Sequence, residues 1–206
     1  VFQATDTGGK DGCIKKVFRG VNPSGIRVHS FGVPTEEELD HDFLWRIHHH
    51  TPPTGYISVF NRSHYEDVLV ARVKDLVPRS VWSKRQINCF EETLAEHGTR
   101  ILKFYLHISK DEQKERLEKR LENPDKHWKF SKADLAEREY WDDYQNAFEA
   151  MLSKTSTGIA PWYLVPANKK WFRNVVVSSA IRKALEEMDP QFPEPEKGLD
   201  EITIPD

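Results

Sequence analysis

The chain has 206 residues, 38% of them hydrophobic and 31% charged, with a formal net charge of −3. That length predicts one domain with a core of its own. The charge excludes a general nucleic-acid coat protein, and no apolar run is long enough to span a bilayer, so neither nucleic acid nor membrane is an expected partner. Two cysteines, Cys13 and Cys89, give neither metal-ligand spacing nor a disulfide framework and fit a reducing cytoplasm.

The first dozen residues, Val1 to Gly12, read as a strand end, a glycine-rich turn and a helix start. Small residues there let successive backbone N–H groups face an anion at the helix N-terminus, and Lys10 is placed to reach the same oxygens. Thr7, Gly8, Gly9, Lys10, Asp11 and Gly12 are therefore expected to bind phosphate. Against the G-x-x-x-x-G-K-[ST] pattern, Ala4 replaces the first glycine and Asp11 the hydroxyl residue, while Asp6 adds a carboxylate inside the loop. A carboxylate facing a phosphate chain is repelled unless a metal or water lies between them, so Asp6 is the candidate metal ligand. The same residues also read as an ordinary turn capped by Asp11. A strand that begins so close to its key loop predicts further residues upstream of Val1.

Ile14, Val17, Phe18 and Val21 recur at helical spacing up to a stop at 20–25, and a strand is expected over 26–31. Thr35 with Glu38 predicts a capping box opening a helix with Leu39, Phe43, Leu44 and Ile47 on one face and Arg46 near its end. His48, His49 and His50 are consecutive, do not converge on one ion, and read as surface histidines. The apolar run 56–60 predicts a buried parallel strand.

That strand empties into Asn61, Arg62, Glu66 and Asp67. Beside a phosphate loop, this strand end is where a carboxylate normally holds magnesium, and here it is an amide. Charge balance then leans on Asp6, with Glu66 or Asp67 assisting. Arg62 offers a planar fork to phosphate oxygens, although Arg62, Glu66 and Asp67 also suit local helix ion pairs.

Ser83 with Gln86 predicts a second capping box before Ile87, Phe90 and Leu94, Gly98 closes that helix, and 100–107 reads as a strand. Strand and helix alternate without a hairpin signal, which predicts an α/β fold with a parallel sheet and helices on both faces. From 109 to 138 the chain is dense in charge of both signs; Gln113, Arg116 and Arg120 share a helical stripe, and Lys126, Lys129 and Lys132 surround Trp128 and Phe130. These cations suit a lid folding over a transferred phosphoryl group, and equally a solvated helix laced with ion pairs. Trp141, Tyr144, Phe148 and Leu152 mark a long core helix, 163–165 a short last strand and 171–188 a closing helix, before an acidic, proline-rich tail over 190–206.

The loop Thr5 to Gly12, the stretch Asn61-Arg62-Ser63, the stretch Asn123 to Phe130 and the stretch Thr155 to Ala167 together resemble, in order, the signatures of the polyphosphate kinase 2 family. The resemblance implies a three-layer P-loop kinase sandwich over 1–189 with a helical lid near 109–140. It implies reversible phosphoryl transfer between inorganic polyphosphate and AMP, ADP or ATP with Mg2+, in an assembly of two or four copies. In those terms Asp6, Lys10 and Arg62 are the catalytic candidates. Arg116, Arg120, Lys126 and Lys129 join the phosphate ligands, and Arg46, Asn61, Arg62, Glu66 and Asp67 face the nucleotide. Asn61 tilts the acceptor toward AMP as well as ADP. The alternatives are an ATP-dependent kinase resembling thymidylate kinase and a P-loop binding module without activity.

Overall fold

The computed structural model describes residues 1–83, 86–199 and 202, apart from the side chains at 129 and 132–134. Its alternating elements build one five-stranded parallel sheet from β1 (Phe2–Gln3), β2 (Ile26–Ser30), β3 (Ile57–Asn61), β4 (Lys103–His107) and β5 (Trp162–Pro166), ordered β2-β3-β1-β4-β5. Between the strands run α1 (Lys10–Val17), α2 (Glu36–Asp40), α3 (Trp45–His48), α4 (Glu66–Val73), α5 (Arg79–Trp82), α6 (Ile87–Glu96), α7 (Lys110–Leu121), α8 (Lys132–Glu139) and α9 (Trp141–Thr155), and α10 (Lys170–Met188) follows β5. No helix among the described residues is long and apolar enough to cross a membrane.

Successive strand residues face opposite sides of the sheet, so Phe104 and Tyr105 serve different layers. Phe104 joins Phe2, Cys13, Ile14, Val165 and Val177 in a core roofed by α1 and α10, whereas Tyr105 packs with Tyr65, Leu69, Phe148 and Met151 beneath α4 and α9. The sandwich therefore has three layers. After β1 the chain builds β2 and β3 on one side of it and β4 and β5 on the other, which makes the carboxyl end of β1 a switch point, where open α/β sheets leave a crevice.

Three local expectations are corrected. The capping box at Thr35 and Glu38 forms, but its helix stops at Asp40 because Asp42 Oδ1 accepts the Leu44 N–H at 2.9 Å and turns the chain. Leu39 is consequently exposed while Ile47, on a separate helix, is buried. The second capping box does not form: the Ser83 N–H donates to Arg79 O to close α5, and Gln86 precedes α6 without a side-chain cap. Lys126 and Trp128 sit on a 3-10 turn, Pro124–Lys129, not on a continuous helix. His48 and His49 are exposed, and the three rings pack on different neighbours, Phe90, Trp45 and His29.

Candidate active site

At the switch point the chain leaves β1 through a turn that only these small residues close. The Gly8 N–H donates to Thr5 O at 3.1 Å. A Cβ on Gly8 would lie 2.4 Å from Ala4 Cβ and 2.9 Å from Thr5 O. Ala4 is thus tolerated at the first position of the loop pattern because Gly8 makes room for it. Gly9 takes φ +90° to start α1, and Thr7, a β-branched residue, is held at φ 59°.

The first helical bond runs from Cys13 N–H to Gly9 O, which leaves the preceding N–H groups without helical acceptors. Among the described residues no hydrogen bond takes up the amides of Thr7, Gly9, Lys10, Asp11 or Gly12. Gly8, expected in the same cradle, is the exception, its N–H being used inside the turn. Free amides at the positive end of a helix are an anion site. Two loop hydroxyls, Thr5 Oγ1 and Thr7 Oγ1, are also buried without partners.

Charge is gathered at the same place. Lys10 is only 9% exposed and its Nζ lies 3.4 Å from Ala4 O. Burial, with Arg62 nearby, pulls its ammonium below the usual lysine range, against Glu66, Asp6 and Asp11. Arg62 leaves β3 at φ 65°, its N–H bonded to Phe2 O, and its guanidinium meets Asp6 at 3.0 Å and Glu66 at 3.3 Å. Burial opposes the Arg62 charge, but Glu66 and Asp6 outweigh it and move the pKa up. Asp6, Lys10, Arg62 and Glu66 are therefore one cluster, made across 56 residues of sequence by the pairing of β1 with β3.

Asn61 ends β3 and donates to Asp11 Oδ1 at 2.8 Å and to Ser30 Oγ at 3.3 Å, leaving its own Oδ1 buried and unbonded. The carboxylate facing the amide is thus Asp11, and Glu66 instead serves Arg62. Asp67 lies half-buried on α4. Arg46 is buried, its Nη1 donating to Gly32 O and Glu38, and with His29, Ser30, Phe31 and His50 it lines a cleft of about 210 Å3.

Beneath the loop lie side chains from two helices. Gln113 Nε2 donates to Asp6 O at 3.1 Å, Arg116 Nη1 to Thr7 O at 2.9 Å, and Arg173 Nη1 to Gly9 O at 3.1 Å. Arg116 sends its other donors to Glu112, Ala167 O and Asn168 O. Arg116, expected among the phosphate ligands, is thus tied to the loop itself, since an anchored helix start at Ser109 aims this stripe of α7 at the loop carbonyls. Arg120 is half-buried on the same helix and Lys126 exposed on the 3-10 turn, and the Lys129 side chain lies outside the described residues. Arg173 was not anticipated from sequence. Its one signal is a charge set in the same helical stripe as Val177 and Ala184, the buried face of α10.

With this geometry in hand, comparison with known proteins gives consistent matches. Residues 1–193 match the sequence model of a family described as Polyphosphate kinase 2. The chain is 58% identical over 206 residues to an AMP/ADP-polyphosphate phosphotransferase of Meiothermus ruber, spanning 99% of this chain and 77% of that protein. It is 48% identical to an ADP-polyphosphate phosphotransferase of Rhodopseudomonas palustris, over 94% of this chain and 72% of that one. Its fold superposes on the crystal structure of polyphosphate kinase 2 from Arthrobacter aurescens with a TM-score of 0.94 and 46% identity, covering 97% of this chain and 71% of that one.

Proposed function

Because the chain belongs to the polyphosphate kinase 2 family, we propose that it moves the terminal phosphoryl group of inorganic polyphosphate onto the terminal phosphate oxygen of AMP or ADP, reversibly. One P–O bond to the nucleotide forms as the anhydride P–O bond of the chain breaks, and the polyphosphate leaves one unit shorter. The acceptor oxygen is already ionised at neutral pH, so the site has no need of a strong base. The reaction asks for alignment and for neutralised charge.

The observation that supports this reading best is the set of unbonded amides at Gly9 to Gly12 beside Lys10, with Asp6 and Arg62 paired at their rim. In this role the amides and Lys10 hold the phosphate chain, and Arg62, already aimed by Asp6 and Glu66, meets the transferring group as a planar donor. Arg120, Lys126 and Lys129 belong to a lid over 109–140 that closes on the chain. The nucleotide enters from the side of Arg46, Asn61, Glu66 and Asp67, through the cleft whose Ser30 hydroxyl is bonded to Asn61.

Magnesium fits this neighbourhood. Asp6 and Asp11 would supply carboxylates and the orphaned Asn61 Oδ1 and Thr7 Oγ1 neutral oxygens, and no group of three or more His, Cys, Asp or Glu forms a full protein cage among the described residues. Such a set suits an ion that keeps waters and substrate oxygens in its shell. When bound, magnesium would draw charge from the phosphate oxygens.

The test is donor choice. With AMP or ADP as acceptor, polyphosphate is expected to give ADP or ATP, and ATP offered to AMP in its place far less product. Turnover with ATP and none with polyphosphate would defeat the reading.

A further inference from the structure

Arg173 is 2% exposed, yet among the described residues no carboxylate pairs with it. Its Nε and Nη2 donate to Asn174 Oδ1 at 3.1 and 2.8 Å, its Nη1 donates to Gly9 O at 3.1 Å, and the buried Cys13 thiol is a neighbour. Every partner is neutral. A second guanidinium adds to the charge, since a Cβ placed on Gly9 would stand 2.3 Å from Arg173 Nη1 and 3.4 Å from Arg116 Nη1. Arg116 has Glu112 at 2.7 Å to balance it, and Arg173 has no such counter-ion.

A buried charge without a counter-ion is expensive to keep. Dipoles can stabilise it locally, but they do not cancel it. Burial pulls the Arg173 pKa below its ordinary value, the Cys13 thiol opposes this and Arg116 adds to it. The charge lies directly under the turn whose amides at Gly9 to Gly12 are unbonded on the protein side. An anion held by those amides would be the missing counter-ion.

We propose that Arg173 is a positioning residue for the phosphate chain: its guanidinium pins the Gly9 carbonyl down beneath the loop, and its unpaired charge is completed only when phosphate fills the loop above. The inference rests on the proposed function. It adds a residue from the far end of the chain whose role is binding and not chemistry.

Tripolyphosphate binding, measured by calorimetry on the full chain, tests it. Arg173→Met removes both the tie and the charge and is expected to weaken binding about tenfold, by the loss of one charge-assisted contact. In assays of the same variant the KM for polyphosphate rises while kcat changes little, because the effect falls on bound chain and transition state alike. Asn174→Asp keeps the guanidinium and gives it a permanent counter-ion. It is expected to raise the melting temperature of the free protein and still weaken tripolyphosphate binding several-fold. A merely structural Arg173 predicts the opposite for that second variant, unchanged binding in a more stable protein, and that result would overturn the proposal even if Arg173→Met does not fold. Wild-type protein that does not bind tripolyphosphate at all would instead remove the functional reading on which the proposal stands.

Discussion

Lys10→Met is expected to abolish nearly all phosphoryl transfer, by about 10^3-fold or roughly 4 kcal/mol, while leaving the protein as stable as before or more so. The two halves of this expectation come from one observation. Lys10 is buried, its one hydrogen bond among the described residues is a long one from Nζ to Ala4 O, and Arg62 crowds it with like charge against the pull of Glu66, Asp6 and Asp11. A buried ammonium held so loosely costs folding free energy, and Met fills the same volume without a charge. Removing it relieves that cost and takes away the only lysine of the phosphate loop. Initial rates with polyphosphate and a thermal melt of the same preparation check both halves. Activity within tenfold of wild type, or a loss of stability in step with a loss of activity, would show that Lys10 is a structural cation.

The largest stability effect is expected at the far side of the sheet, where Lys103 is fully buried on β4. Its Nζ donates to Glu91 at 2.6 Å, to Thr155 O at 2.7 Å and to the Tyr65 hydroxyl at 2.9 Å, so each ammonium proton has an acceptor. Tyr65 in turn donates to the other Glu91 oxygen at 2.7 Å. Burial pulls the Lys103 pKa down and Glu91 opposes it; for Glu91, burial pushes the other way, but the His64 ring 3.7 Å away and the bonds from Lys103 and Tyr65 prevail and hold the carboxyl below its ordinary range.

Either single change, Lys103→Met or Glu91→Leu, strands one charge in a dry core and is expected to cost about 3–5 kcal/mol in urea unfolding. The double change, which removes both charges, should recover most of that loss. Singles that cost under about 1 kcal/mol would contradict this account of the pair. The network also reaches the active site, because Tyr65 follows Arg62 by three residues and opens α4, so the singles should lose activity before they unfold.

The sheet was legible because its strands are apolar runs separated by helical spacing, a pattern set by local burial that survives any detail of packing. The loop was legible for a different reason: Gly8 and Gly9 are demanded by backbone geometry, Gly8 having no space for a side chain and Gly9 standing at φ +90°, and Lys10 follows them directly. Asn61 could be placed at a strand end beside the loop, and β1 and β3 do pair there. What Asn61 faces could not be read. Its partner Asp11 lies 50 residues away in sequence, and only the register of β3 against α1 decides between Asp11 and the nearer carboxylates Glu66 and Asp67.

Direction was the other hidden quantity. A helical stripe of Gln113, Arg116 and Arg120 is the same in sequence whether it faces solvent, a substrate or the underside of a loop. The structure turns its first two members inward onto Asp6 and Thr7. Arg173 and Lys103 were obscured by a sound general rule, that charged residues lie at the surface. Each sits in an otherwise buried stripe, so a charge interrupting an apolar face was the available sign. The break at Asp42 was likewise encoded by a side chain able to accept a hydrogen bond from the backbone two residues on.

The central claim is that the amides opening α1 grip a phosphate chain, and a titration of isotope-labelled protein with tripolyphosphate, followed by amide NMR shifts, tests it most directly. The amides of Gly9, Lys10, Asp11 and Gly12 should move most and saturate together, with Gly8, already bonded to Thr5, moving less. Saturable binding that leaves those four resonances in place would contradict the account.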